Sequence, residues 1–355
     1  LDRVPGGGIQ PQLAQEPGGT SHLLYFSGDP AGGDLFYCRR SPSESKFSRP
    51  IRVNSVSGSA IAMGTIRGGQ LALGRDGRPH IVWNGSKQAQ PRGPKGEAPL
   101  LYTRLNAAGK GFERERNVIR KQYGLDGGGC VAADADGHVY IAWHACECGE
   151  ANRRIWLVRS DDDGKTFDTE QAIDADKVGA CGCCGMEGTV GPNGEVMFVY
   201  RSARENVHRD MYLLTSTDHG ATFRSRKLQD WTVETCPMSS EAFAHGNGVS
   251  WGAWETEAQV YYASLTNGEA LEPRPMPGRG PNRKHPSLAV NRDGLVLLVV
   301  TEGTGWNRGG GLAWQLLDPQ GDPATANGKS PGIPQWRCAA TCALPDGPWP
   351  RRPER

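Results

Sequence analysis

No stretch of this 355-residue chain is long and apolar enough to cross a bilayer as a helix, which takes about 20 consecutive apolar residues. No charged segment followed by an apolar core stands at the start. The chain opens at Leu1, which fits a processed or trimmed product. Net charge is missing too: 40 Lys and Arg stand against 39 Asp and Glu, leaving no field to draw nucleic acid or an anionic membrane. Neither partner is expected. Apolar residues at helical spacing never run for a normal helix length, so helix should be scarce. A G-x-G-x-x-G turn between strand and helix, a phosphate loop and an H-E-x-x-H pair are all absent.

What is present is glycine, proline and a repeat. The 49 Gly and 25 Pro suit many short strands and tight turns. Phe26-Ser27, Trp83-Asn84, Trp143-His144, Tyr200-Arg201, Trp254-Glu255 and Thr301-Glu302 each end a short apolar run, roughly every 50 residues. Each run follows a glycine turn, as in LALGRDGRPHIVWNG and VAADADGHVYIAWHA, which reads as strand, turn, strand. One small sheet per repeat, six times, predicts an all-β chain folded as a six-bladed β-propeller. Blades should begin near Ile9, Arg67, Asp126, Cys181, Cys236 and His285. Residues 269–284 read as a long loop before blade six. The propeller is expected over 1–323, with 324–355 an irregular tail that Cys338 and Cys342 pin, to Cys38 or to each other. Trp83, Trp143 and Trp254 should be core by their phase, while His80 and His138, beside lower turns, should be solvated.

Ten cysteines in no finger-like pattern are many for a reducing compartment and ordinary outside it, so a secreted or periplasmic protein is expected. Two segments, SDDDGKTF at Ser160–Phe167 and STDHGATF at Ser216–Phe223, carry Ser, Asp, Gly and Phe at one spacing. SPSESKF from Ser41 and NAAGKGF from Asn106 stand at corresponding places as decayed copies. The intact pair resembles the Asp-box of the sialidase (neuraminidase) superfamily and of BNR-repeat propellers, and the chain as a whole is similar to bacterial sialidase-like proteins. The resemblance implies a sialidase-like propeller in which the box lies between the third and fourth strands of a blade, on the face away from the site. It also implies a carbohydrate ligand.

If the boxes mark the lower face, the six polar residues after the repeat positions gather on the upper one, with Gln70, Glu187 and Glu241 entering the first strands. Sialidase-type enzymes clamp a sugar carboxylate with three arginines, for which Arg67, Arg201 and Arg283 would serve, with Glu255 and Glu302 as acid–base groups. Asn84, Gln70 and Glu241 would contact the ligand. The family's Arg-Ile-Pro segment, its sixth-blade Tyr and its Asp acid are missing, which argues against true sialidase activity. A second reading is a copper or other soft-metal centre, catalytic or storing, in which Cys184, Cys236, Met238, His144 and His285 converge and Glu187 and Glu241 support them. A third is a non-catalytic binding module whose upper loops are stapled by disulfides.

Overall fold

The computed structural model describes residues 2–64, 68–146, 148–265 and 272–343. Blade one is built from β1 (Ile9–Gln15), β2 (Ser21–Ser27), β3 (Asp34–Arg40) and β4 (Ile51–Arg52). Blade two follows with β5 (Gln70–Leu73), β6 (Pro79–Asn84), β7 (Leu100–Arg104) and β8 (Arg116–Asn117). Blade three contains β9 (Leu125–Ala133), β10 (Val139–Ala145), β11 (Arg154–Ser160) and β12 (Gln171–Ala172). Blade four contains β13 (Met186–Val190), β14 (Val196–Arg201), β15 (Met211–Ser216) and β16 (Arg224–Gln229). Blade five contains β17 (Glu241–Gly246), β18 (Val249–Thr256), β19 (Gln259–Ser264) and β20 (Arg274–Pro275). Blade six closes the chain with β21 (Lys284–Val290), β22 (Val296–Glu302), β23 (Gly310–Leu317) and β24 (Pro323–Ile333). Each blade is an antiparallel sheet whose strands pair in chain order, and helix among the described residues is confined to three 3-10 turns. The molecule is a six-bladed β-propeller.

The second strand of a blade is covered by sheets on both faces, which is why β6 (PHIVWN) and β10 (VYIAWHA) are buried at every residue. Trp83, Trp143 and Trp254 are buried as expected and pack with side chains of the adjoining blade. Tight turns between first and second strands need left-handed backbone, supplied by Gly137 (φ 92°) and Gly194 (φ 83°). These turns mark the lower face. Ser160, which opens the first Asp-box, pairs with Val139 just after Gly137, so the boxes lie on that face too. In the first box, Ser160 Oγ accepts from Gly164 N–H at 2.9 Å and Asp162 Oδ1 accepts from Thr166 N–H at 2.8 Å. The second repeats this with Ser216 and Gly220 (2.8 Å) and Asp218 and Thr222 (2.9 Å).

The structure corrects the sequence at four places. Residues 323–333 are not irregular but form β24, the outer strand of blade six, whose polar sequence reflects exposure on both sides. The loop expected at 269–284 contains β20, the short outer strand of blade five; residues 266–271 lie outside the described residues. His80 is fully buried, with Nδ1 2.8 Å from Tyr102 Oη and Nε2 3.4 Å from Asp163. Cys38, Cys338 and Cys342 are free thiols, so the tail is held by other contacts.

Candidate active site in the axial channel

The inner strands surround an axial channel of about 840 Å³, lined by β1, β5, β13, β17, β21 and the end of β9. Part of this channel is filled from within. Beyond β24 the chain turns over the upper face, where Trp336 Nε1–H donates to Trp306 O at 2.6 Å and Arg337 Nη2–H to Gly7 O at 2.7 Å. It then descends through the channel as residues 338–343. Thr341 Oγ1 lies 2.8 Å from Ser287 Oγ at mid-depth, and Cys342 Sγ lies 3.7 Å from Ser21 Oγ near the lower end. The descent follows the wall made by blades six and one.

Blades four and five, farther round the ring, present carboxyl groups. Glu187 of β13 and Glu241 of β17 both line the channel. Glu187 is deeply enclosed, although the residue keeps some exposure, and burial pushes its carboxyl up to about 8. Glu241 has both carboxyl oxygens buried without a hydrogen-bond partner. Burial raises it well above the usual range; Arg201 opposes this, and Cys184, Glu187 and Glu255 add to it. Behind them Glu255 of β18 is raised by burial to about 7 against the pull of Lys284, whose Nζ is 3.6 Å from Oε1. Glu241 thus feels both other carboxyl groups, and burial raises the proton affinity of all three.

The other residues singled out in the sequence fall into three groups. Arg201 is 1 % exposed and turns its guanidinium to the protein: Nε to Ser239 Oγ (3.2 Å), Nη1 to Arg209 O (2.6 Å) and Nη2 to the Glu255 carbonyl, with Trp231 stacked at 4.8 Å. Arg283 pairs with Glu302 at 3.1 Å and donates to the carbonyls of Met276, Pro277 and Gly278, while Lys329 of β24 holds Glu302 at 2.7 Å. These groups brace loops and do not form an arginine clamp; Arg67 lies outside the described residues. Asn84 is buried and donates to Asp126 O at 2.7 Å, and Gln70 faces the channel. Six polar residues at one phase do reach the upper end, but loops bury five of them, all except Ser27.

The soft-metal set does not converge as expected. Cys236 is exposed, Met238 sits half-buried in left-handed backbone (φ 49°), His285 bonds Ser240 Oγ at 3.0 Å, and His144 donates to the Cys184 carbonyl at 3.5 Å. Burial lowers His285 to about 3 and, with help from Arg153, His144 to about 4. Cys146 and Cys148 are bonded to each other. What does gather is Cys181, Cys183 and Cys184, their sulfurs all within 4.8 Å of one another. Burial opposes ionisation of Cys184, yet S–H donation from Cys181 and Cys183 and the charge of Arg201 hold its thiol below the ordinary value.

No protein-family model matches the sequence, and no curated protein matches it. Solved structures do. A protein of unknown function from Dyadobacter fermentans is 14 % identical with a TM-score of 0.54, over 92 % of this chain and 94 % of that one. Penicillium chrysogenum α-L-arabinanase, complexed with arabinobiose, is 15 % identical with a TM-score of 0.54, over 90 % and 95 %. Trypanosoma rangeli sialidase, in complex with the inhibitor DANA, is 12 % identical with a TM-score of 0.56, over 86 % of this chain and 54 % of that one. At such identities the likeness is one of fold, and the chain is a six-bladed β-propeller of the sialidase-like type.

Proposed function

We propose that the axial channel takes a carbohydrate and that Glu187 and Glu241 carry out acid–base chemistry on it, in a protein exported from the cytoplasm. One observation carries the reading: two channel-lining carboxyl groups from neighbouring blades are held protonated by burial, and Glu241 has no partner inside the protein for either oxygen. Buried carboxyl groups with raised affinity for the proton, meeting in a cleft, are the usual equipment of a general acid. Glu187, partly open to the channel and raised by burial to about 8, would give its proton to a departing sugar oxygen. Glu241 lines the same channel with its carboxyl oxygens buried, and would support Glu187 electrostatically. Glu255 lies one layer behind. The arabinanase complexed with arabinobiose and the sialidase complexed with the inhibitor DANA suggest the substrate class by analogy of fold alone. With Arg201 and Arg283 engaged by protein groups, a carboxylate clamp of sialidase type is not expected. At the upper rim Trp306 is one of the exposed large apolar side chains and gives a sugar ring a flat apolar face. The Cys146–Cys148 bond suits an oxidising compartment.

Release of reducing ends from a panel of plant and bacterial polysaccharides and chromogenic glycosides tests this. Glu187→Gln should reduce turnover of any substrate found by about 100-fold or more, the usual contribution of a general acid. Equal turnover by the variant, or no substrate and no glycan binding across the panel, overturns the reading.

A further inference from the structure

The segment from 180 to 185 crosses the upper face before entering β13, and its path is fixed at both ends. Ala180 N–H donates to Glu150 O (3.0 Å), Cys181 N–H to Arg201 O (2.9 Å) and Gly185 N–H to Ser239 O (2.8 Å). Between them Gly182 N–H donates to Glu150 Oε1 at 2.8 Å. A Cβ at Gly182 would stand 2.2 Å from Arg153 Nη1, so the loop is pressed flat against that guanidinium. The three thiols of the loop are thereby brought together, with Cys181 and Cys183 sulfurs 3.4 Å apart. Cys181 and Cys184 are buried, and Cys183 is the open member through which an ion would enter.

Three arginines and two carboxylates surround the loop: beside Arg153, a Cβ at Gly182 would also stand 2.6 Å from Asp126 Oδ2 and 2.9 Å from Glu150 Oε1. Glu150 holds Arg209 at 2.7 Å and lies 3.6 Å from Arg153 Nη1. Yet Arg153 Nε and Nη1 and Arg209 Nε are buried without a hydrogen-bond partner. Arg201 is linked to the cluster through Ser239, whose Oγ accepts from Arg201 Nε at 3.2 Å and donates to Cys184 Sγ at 3.6 Å. Buried guanidinium donors left over beside three sulfurs call for negative charge on those sulfurs. Three thiolates bound at about 2.3 Å from one ion stand roughly 4 Å apart, which the loop accommodates within its 4.8 Å limit. No fourth His, Cys, Asp or Glu donor joins the group among the described residues, which suits a three-coordinate ion better than four-coordinate zinc.

We propose that Cys181, Cys183 and Cys184 form a three-thiolate site for one soft monovalent cation of the Cu(I) class. The site adjoins the channel carboxyl pair, a Cβ at Gly185 standing 3.2 Å from Glu241 Oε2, but it uses none of its groups and stands whether or not the channel takes a carbohydrate. Binding displaces the thiol protons to solvent, and the buried arginines offset the negative charge left on the complex.

The test is anaerobic titration of the reduced full chain with Cu(I) against a chromogenic Cu(I) chelator, with alkylation mapped by peptide mass spectrometry. One ion per chain is expected, and bound Cu(I) should protect Cys183 from alkylation. Cys183→Ser should lose more than about 100-fold in affinity, beyond what disturbing a neighbour of a metal usually costs. Cys236→Ser should bind as the unaltered chain does. Substoichiometric binding, unchanged affinity in Cys183→Ser, or protection confined to Cys236 overturns the proposal. The alkylation map is read on the unaltered chain, so it holds even if the variant misfolds.

Discussion

Arg201 and Glu187 belong to the same blade and treat charge in opposite ways. Arg201 has every guanidinium nitrogen answered by Ser239, Arg209 O or Glu255 O, so its work is to hold three chain segments together. Arg201→Ala leaves those acceptors buried and unanswered, and should cost roughly 3 kcal/mol in a denaturant titration. Glu187 has burial as the cause of its raised affinity for protons, and Glu255 shares it against Lys284. Both carboxyl groups bind protons more tightly folded than unfolded, so their stabilisation is complete below the unfolded value near 4.3 and is lost as pH rises through about 7 and about 8. His144, His245 and His285 are lowered by burial and act the other way, but only below their unfolded value near 6.5. Above that point the carboxyl groups act without that counterweight. The melting temperature should therefore fall between about pH 6.5 and 8, and Glu187→Gln should flatten the fall. The strand phase made Glu187, Glu241 and Glu255 legible as upper-end residues. It gave no hint that Arg201 and Glu302 would turn inward, because partners such as Glu255, Ser239, Arg283 and Lys329 come from other strands and loops that only the fold brings near.

Among elements, the Asp-box turn is the best-written in the sequence and the most self-sufficient in the structure. Its bonds run within eight residues, so composition alone specifies it. Against the cost of burial, the Thr166 and Ser160 donors hold the Asp162 carboxyl down at about 2. Ser160→Ala removes the acceptor of Gly164 N–H from a buried position and should cost about 1 kcal/mol, read by chemical denaturation. The decayed copies keep the place and part of the bonding: Asn106 Oδ1 accepts from Lys110 N–H at 3.3 Å, while Ser41 Oγ donates to Glu44 at 2.8 Å instead. Outer strands were the least legible. β20 and β24 read as loop because an edge strand of a blade has solvent beside it, and neither alternation nor apolar content is required there. The tail's course could not be read either, since Cys338 and Cys342 suggested bonds and serve as small apolar fillers of the channel.

For the whole molecule, the seams between blades are unequal. Apolar clusters join blades one and two, two and three, three and four, four and five, and five and six. The remaining cluster, around Leu23, Tyr25 and Cys38, draws only on blade one and the residues leading into it. Where blade six meets blade one, the chain from Pro334 to Ala343 supplies the contacts instead, through Arg337 with Gly7, Thr341 with Ser287 and Cys342 with Ser21. Ending the chain after Ile333 should lower the melting temperature by several degrees while keeping the far-ultraviolet spectrum, and should admit larger ligands to the channel. An unchanged melting temperature would mean the ring closes without this segment. The repeat disclosed six blades because each is a local unit; closure is a contact between the two ends and leaves no periodic trace.

The carboxyl pair in the channel is the centre of this account, and the pH dependence of glycan turnover tests it most directly. Reducing-end release would be followed from pH 5 to 9 for the unaltered chain and Glu187→Gln, each with and without the residues after Ile333. Activity that falls as pH rises through about 8, that is lost in the variant and that is greater in the shortened chain is the expected result. Turnover that keeps its alkaline limb in Glu187→Gln would contradict it.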